Sequence, residues 1–216
     1  NQIISITASE LLFEDGVTTI DLSADTDATA NNVIDVSNDD TGANAWTLTG
    51  SAGIDAITGD SGVDTITGGA GADVIAGGDG DDSLIYLLTA DLFASQAIVD
   101  TSIAGNGGAG DQLTVGTSGT AFAVADTDVW TGITTVEKVV AVANTAAVTI
   151  DLDLTAYAAG IRTIDLSAGT AATGNIIKVD EFTTGGSATG ALTLIGSATG
   201  ITTITGGDGA DTITGG

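Results

Sequence analysis

Four aspartates recur at every ninth position between Gly50 and Ile85, a spacing that could bring their carboxylates together to bind a metal: Asp55, Asp64, Asp73 and Asp82. Two carboxylates held about 4.8 Å apart on neighbouring strands repel each other by a little under ~1 kcal/mol in water, and by several-fold more at a lower dielectric constant. A hard cation between them converts that repulsion into binding. Because the chain contains neither Cys nor His, oxygen is the available ligand type, and it suits calcium better than magnesium.

These aspartates belong to a nonapeptide repeat, which reads GSAGIDAIT, GDSGVDTIT, GGAGADVIA and GGDGDDSLI. Each line has Gly at places one and four, Asp at place six and an aliphatic residue at place eight. Glycine allows a turn with positive φ, and places seven to nine suit a short strand with one side chain pointing inward. Two lines therefore make one coil. This arrangement predicts that Asp55 stacks on Asp73 and Asp64 on Asp82, the members of each pair being two lines apart.

The lines match the pattern G-G-x-G-x-D-x-U-x, so the segment resembles the RTX (repeats-in-toxin) calcium-binding β-rolls. The match covers Gly50–Ile85 and recurs at Gly206–Thr214, which reads GGDGADTIT. A flexible linker is the alternative, but linkers do not keep Ile in register. The resemblance implies a right-handed parallel β-roll that holds several calcium ions through the place-six aspartates and turn carbonyls. The further candidate ligands that it indicates are Asp211, Asp79, Asp208, Gly59, Gly62, Gly68, Gly71, Gly77 and Gly80.

The segment after the four lines combines a predicted helix with a degenerate turn. Thr89 is a candidate N-cap for a short helix over Ala90–Val99, which would cover the strand edges at the end of the roll. Gly107–Leu113, GGAGDQL, is a nonapeptide-like turn with one residue missing. Its Asp111 is a candidate metal ligand, although the shortened spacing argues against it. A single helical turn is also predicted near the start of the chain, at Ser9–Phe13.

Composition favours an all-β fold. Hydrophobic residues make up 43% of the chain and aromatic residues only 4%, and proline is absent, which leaves strand ladders uninterrupted. The predicted class is a parallel β-solenoid or β-roll. The net charge of −26 excludes nucleic acid as a partner, because phosphate binding needs clustered Lys and Arg. No apolar run reaches the length of about 18 residues that membrane insertion requires, and no signal-peptide pattern is present.

The chain repeats itself on a longer scale. Three segments recur at a nearly constant offset, namely Val17–Ala24 at Ile161–Ala168, Thr47–Ala52 at Thr193–Ala198, and Asp64–Gly69 at Asp211–Gly216. We therefore expect about one and a half copies of a module of roughly 145 residues. The predicted parts are the solenoid end of a preceding module at 1–49, an RTX roll at 50–85, a helical cover with a degenerate turn at 86–114, solenoid at 115–195, and the start of a second RTX block at 196–216.

Catalytic motifs do not fit this chain. The GDSG of Gly59–Gly62 lacks the histidine that a serine protease needs as its base, and the single DTG at Asp40–Gly42 lacks the second loop of an aspartic protease. Nearly all the acids lie in turns, and only Trp46 and Trp130 could form a sugar platform, so glycoside hydrolysis is also disfavoured. We predict that the chain is not an enzyme.

Solenoid modules interrupted by RTX blocks are similar to bacterial S-layer proteins and giant surface RTX proteins secreted by type I systems. The resemblance implies a calcium-dependent structural protein at the bacterial cell surface, outside the cell, which contacts copies of itself in a lattice, sheath or filament. Two alternatives stay open. One is the extender or ligand-binding region of a giant RTX adhesin, with a surface glycan as its partner. The other is the calcium-binding secretion domain of an RTX hydrolase.

Overall fold

The computed structural model describes residues 3–7, 16–38, 44–144, 146–171, 174–179, 190–200, 202–207 and 209–215. The chain forms two compact units. The first comprises Asn1–Ile85, Val99–Gln112 and Gly132–Val136, and the second comprises Tyr86–Ile98, Leu113–Thr131 and Glu137–Gly216. The helical turn predicted at Ser9–Phe13 lies outside the described residues. None of the described helices is long and apolar enough to span a membrane.

Strands of the first unit, numbered in chain order, alternate between two sheets. One sheet has the spatial order β1 (Ser5–Thr7), β3 (Asn31–Asp35), β5 (Ile54–Thr58), β7 (Val74–Gly78), β11 (Ser102–Asn106) and β14 (Ile133–Thr134). The other has the order β2 (Thr19–Asp21), β4 (Thr47–Thr49), β6 (Thr65–Thr67) and β8 (Ser83–Tyr86). Neighbouring strands pair in parallel. Parallel pairing between alternate strands of the chain is characteristic of a β-solenoid.

The nonapeptide lines form the shortest coil of this unit. Ile57 pairs with Ile75 and Ile66 with Leu84, so the predicted stacking of each line on the line after next is confirmed. By contrast, the pairing of Thr19 with Thr47 encloses a longer stretch of chain. The aliphatic side chains at place eight are almost completely buried. Burying such a side chain contributes about 1.5–3 kcal/mol, which explains why the strands keep this register.

The second unit is also a parallel solenoid. One of its strand series has the order β12 (Gln112–Val115), β15 (Lys138–Ala141), β17 (Thr163–Asp165), β19 (Thr193–Ile195) and β21 (Thr212–Thr214). The other has the order β13 (Phe122–Val124), β16 (Val148–Asp151), β18 (Asn175–Lys178) and β20 (Thr202–Thr205). The all-β prediction is confirmed for both units.

The long repeat seen in the sequence has a structural counterpart. In the first unit β4 lies between β2 and β6, and in the second β19 lies between β17 and β21. The partners also correspond: Thr19 pairs with Thr47 as Thr163 pairs with Thr193, and Thr47 pairs with Thr65 as Thr193 pairs with Thr212. Related sequences therefore build related rungs in each unit.

The helix predicted at Ala90–Val99 is shorter than expected. Helix α1 covers Thr89–Leu92, and its N-cap is Leu88 rather than Thr89. The chain then forms an antiparallel hairpin of β9 (Phe93–Ala94) and β10 (Ala97–Ile98). Ser95 and Gln96 make the turn with positive φ, and Phe93 packs edge-on against Trp130 with ring centroids 5.3 Å apart. The helix thus ends at the residue before Phe93, whose side chain packs against Trp130.

A second helix was not predicted. Helix α2 covers Leu154–Ala159, within the stretch 115–195 that was predicted as solenoid. Asp153 caps its start by accepting hydrogen bonds from Thr155 N and Ala156 N, at 2.9 and 3.1 Å. Gly160 ends it in the left-handed conformation. Asp before and Gly after a helix are recognisable sequence signals, so this helix was within reach of sequence analysis.

Candidate metal centre

The place-six aspartates lie in two rows that run from coil to coil, one row at each corner of the coil. We call each row a file. In the first file, Asp55 N donates to Asp73 Oδ1 at 2.8 Å, and Asp73 N donates to Asp100 Oδ1 at 3.0 Å. Each carboxylate therefore accepts a hydrogen bond from the backbone of the preceding coil. Asp55 and Asp73 thus lie on adjacent coils, and a backbone N–H of one residue donates to the carboxylate of the next.

The second file has the same construction. Asp64 N donates to Asp82 Oδ1 at 2.8 Å, and Asp82 N donates to Asp111 Oδ1 at 2.7 Å. The file starts at Trp46, whose N–H donates to Asp64 Oδ1 at 2.8 Å. The degenerate turn thus places Asp111 in the file despite its shortened sequence spacing.

Burial makes these carboxylates hard to ionise in the absence of a cation. Burial raises the pKa of Asp64 to about 6, against the opposing effect of its backbone N–H donors, and nearby Asp60 raises it further. Burial likewise raises the pKa of Asp73 to about 7, with Asp100 and Asp55 adding to the effect. For Asp82, burial again comes first and the charges of Asp64, Asp111 and Asp60 add, giving a pKa of about 7. A positive charge at the corner would relieve this cost.

The second carboxylate oxygen separates the aspartates into two groups. Asp55 Oδ2 accepts hydrogen bonds from Ser51 N at 2.6 Å and Ser51 Oγ at 2.9 Å. Asp64 Oδ2 accepts one from Asp60 N at 2.9 Å. The Oδ2 atoms of Asp73 and Asp82 are buried and have no hydrogen-bond partner in the part of the chain that the structure describes. A buried charged oxygen without a partner is costly unless a cation is bound.

The six turn glycines predicted as carbonyl ligands lie at these corners. At place one, a Cβ atom would press against the aspartate of the same line, at Gly59, Gly68 and Gly77. At place four, a Cβ atom would overlap a carbonyl oxygen of the turn one coil earlier, at Gly62, Gly71 and Gly80. The turns therefore stack so closely that a side chain does not fit between their carbonyls and carboxylates.

The remaining candidates have different surroundings. Asp79 N donates to Asp60 O at 2.9 Å, and the Asp79 carboxylate lies where a Cβ on Gly107 would be. Asp211 Oδ1 accepts from Leu192 N at 3.0 Å, which reproduces the bond between Asp64 and Trp46 one module earlier. Asp208 lies outside the described residues.

Sequence analysis missed three residues of these corners: Ser51, Asp60 and Asp100. Ser51 and Asp60 stand at place two of their lines, where the RTX pattern has Gly, so the pattern assigns them no role. Asp100 is further from Asp73 in the sequence than two nonapeptide lines would place it, so the repeat did not include it. Only the pairing of Ser102 with Val74 and Ile103 with Ile75 reveals that Asp100 resumes the file.

Carbonyl oxygens must complete any cation site here. No group of three or more Asp or Glu side chains among the described residues is arranged to hold a metal. Calcium takes six to eight oxygen ligands at flexible distances, so backbone carbonyls can supply what the carboxylates do not. The unpartnered Asp73 and Asp82 oxygens and the closely stacked carbonyls fit that requirement.

Comparison with protein families gives a match to these repeats. The model of the RTX calcium-binding nonapeptide repeat, in four copies, matches residues 49–84 and 198–216. The chain carries RTX repeats. These repeats form part of a parallel β-solenoid, and RTX repeats of this kind bind calcium. No curated protein and no solved structure matches the chain.

Proposed function

We propose that this RTX protein is a calcium-stiffened structural segment of an extracellular surface layer, sheath or filament, in which it contacts copies of itself. The observation that carries the proposal is the pair of aspartate files. Asp73 and Asp82 each accept a hydrogen bond from the backbone of the preceding coil, and Asp100 and Asp111 continue the two files in the same way. A cation at such a corner would join one coil to the next, which is a mechanical role.

The burial of the acids supports a non-enzymatic role. A catalytic acid or base must come within hydrogen-bond reach of a substrate atom. Asp64, Asp73 and Asp82, whose pKa values are raised, are completely buried beneath stacked turns. Raised pKa values often mark active sites, but here burial and the neighbouring aspartates of the same stack account for them.

An extracellular location agrees with the calcium requirement. Calcium sites of extracellular modules have dissociation constants of about 10⁻⁴ to 10⁻³ M, which match calcium levels outside cells. The net charge of −26 would oppose compaction until cations bind. The chain would therefore remain open during secretion and close where calcium is abundant.

Electron microscopy of the purified chain with calcium and with EDTA tests the proposal. We expect ordered sheets or filaments at about 10 mM calcium and none in EDTA, because folded coils are needed for contact between copies. Sr²⁺ in place of calcium should restore the assemblies, since it also prefers oxygen ligands, and Na⁺ at equal ionic strength should not. A monodisperse monomer in calcium would contradict the proposal. Binding of that monomer to a surface glycan would favour the adhesin alternative.

A further inference from the structure

The buried oxygen Asp82 Oδ2 lies at the end of the matched repeats, next to the coil that follows them. Asp82 is completely buried. Its Oδ1 accepts from Asp64 N, and its Oδ2 has no hydrogen-bond partner among the described residues. Asp64, the preceding member of the file, has both oxygens bonded to backbone N–H groups. Among the place-six aspartates of this file, Asp82 therefore has the buried oxygen that lacks a hydrogen-bond donor.

The coil that follows stacks on Asp82 as the repeats stack on one another. Gly107 N donates to Gly78 O at 2.7 Å, as Asp79 N donates to Asp60 O at 2.9 Å between two repeats. A Cβ on Gly108 would overlap Gly80 O, as a Cβ on Gly80 would overlap Gly62 O. Gly105–Asp111 thus forms a turn of the same kind, although residues 105–111 lie outside the family match.

Carboxylate and carbonyl oxygens lie beside the glycines of these stacked turns. A Cβ on Gly77 would press against Asp82 Oδ2 and lie 2.7 Å from Gly105 O. A Cβ on Gly105 would press against Asp111 Oδ2 and Thr135 O. Thr135 has a φ of 52°, which is rare for a β-branched residue, and its hydroxyl accepts from Asn106 N at 2.8 Å. Two carboxylates and two carbonyls therefore lie around the glycines of neighbouring coils.

We propose that a calcium ion binds between the Gly77–Asp82 and Gly105–Asp111 turns, held by Asp82, Asp111 and the carbonyl of Gly105. Carboxylate and carbonyl oxygens are the ligands that calcium prefers. The site extends calcium binding one coil beyond the nonapeptide repeats, to residues that do not follow their spacing. It does not depend on self-assembly, so it can hold even if the proposed structural role fails.

Calcium titration of the full chain by isothermal calorimetry tests this site. Asp111→Asn retains an oxygen that can accept the bond from Asp82 N but removes the charge. We expect this variant to bind one fewer calcium ion per chain than the native protein. Asp165→Asn is the control, because the Asp165 carboxylate accepts a bond from Ser167 N at 2.8 Å in an ordinary turn. Loss of one ion only in Asp111→Asn supports the site, and equal ion counts in all three proteins overturn it.

A second measurement on the native chain guards against misfolding of the Asp111→Asn variant. Crystals grown with Tb³⁺ should give an anomalous difference peak between Asp82 and Asp111, in addition to peaks at the repeats. Absence of that peak while the repeat corners are occupied would overturn the proposal, whatever the variant does. Far-UV circular dichroism in calcium shows whether the variant is folded and whether its ion count applies.

Discussion

At the scale of single residues, the aspartates of the repeat are not equivalent. Asp55 and Asp64 each have Oδ2 bonded to protein donors, whereas Asp73 and Asp82 each keep one buried oxygen without a hydrogen-bond partner among the described residues. Aspartates at the same place of the repeat therefore differ in how much a bound cation would stabilise them. We therefore expect the buried oxygens of Asp73 and Asp82 to depend most on calcium.

Asp73→Asn should weaken calcium binding by about tenfold or more, since carboxylate charge sets the affinity of such sites. Asparagine can still accept the bond from Asp55 N, so the loss reports charge. Asp21→Asn is the matched control, because the exposed Asp21 carboxylate accepts a local bond from Ser23 N at 2.8 Å. Calcium titration measures both variants. Equal affinities would remove the argument that the stacked aspartates bind the ion.

Protons should partly replace calcium at these corners. The pKa values of Asp73 and Asp82 are about 7 in the folded chain and near 3.8 when exposed, so the folded state takes up protons between these values. In calcium-free buffer, stability should therefore decrease as the pH rises from about 4 to about 7. Thermal melts at about pH 5 and about pH 6 measure this trend, because the calcium-free repeats should already be open above neutral pH. A calcium-free melting temperature that increases with pH would contradict it.

Other carboxylates do not produce the same trend. Hydrogen bonds from Ser23 lower the pKa of Asp21, and those from Thr29 lower the pKa of Asp27. Groups with lowered pKa values favour the folded state above about pH 4, so they cannot cause a loss of stability on raising the pH. Asp82→Asn should reduce the pH dependence, because it removes one of the groups with a raised pKa.

The place-six column was predictable because Gly, Asp and an aliphatic residue at fixed places each have a separate physical reason. The partners of the second carboxylate oxygen were not predictable. Ser51 and Asp60 both stand at place two, and only the folded turn shows that Ser51 N donates to Asp55 Oδ2 and Asp60 N to Asp64 Oδ2. Hydrogen-bond satisfaction depends on distances of a few tenths of an ångström, which a periodic pattern does not specify.

At the scale of elements, close stacking of turns sets the geometry of the corners. Gly80 has a φ of 107°, and a Cβ there would overlap Gly62 O. Gly119 has a φ of 82° but no atom within 4 Å of a Cβ position. Substitutions at these two glycines therefore distinguish the energetic cost of a positive φ from the cost of steric overlap between turns.

Gly80→Ala should lower the melting temperature in calcium by several degrees more than Gly119→Ala. Both variants bear the cost of about 1–2 kcal/mol for a left-handed non-glycine residue, but only Gly80→Ala must also push two turns apart. Differential scanning calorimetry compares them. Equal shifts would mean that the turns are not stacked tightly in solution.

The helices show how far element prediction reached. Asp153 and Gly160 are ordinary start and stop signals, yet the preceding Val148-Thr149-Ile150 run favours a strand, and the helical segment is only one and a half turns long. The helix predicted at Ala90–Val99 begins one residue earlier, at Thr89, and ends early, at Leu92. Phe93 contacts Trp130, which is distant in the sequence, and the local hydrophobic pattern does not predict such a contact.

At the scale of the whole molecule, we expect the charge of −26 to couple folding to calcium. Without cations, repulsion among the buried and surface carboxylates should keep the RTX repeats open, and millimolar calcium should close them. Far-UV circular dichroism should show a β signal that falls in EDTA and returns when calcium is added in excess. Magnesium at the same concentration is the control for ionic strength. An unchanged β signal in EDTA would contradict the coupling.

The unequal length of the coils has a consequence for how this sequence can change. Ile57 pairs with Ile75 across a short coil of the repeats, and Thr163 pairs with Thr193 across a much longer one, yet both pairings are parallel and in register. The additional residues of a longer coil lie between its strands and do not interrupt the pairing of those strands with the adjacent coils. Insertions and deletions between strands can therefore alter the surface while each rung keeps its neighbours, so related proteins can diverge in length without losing the stack.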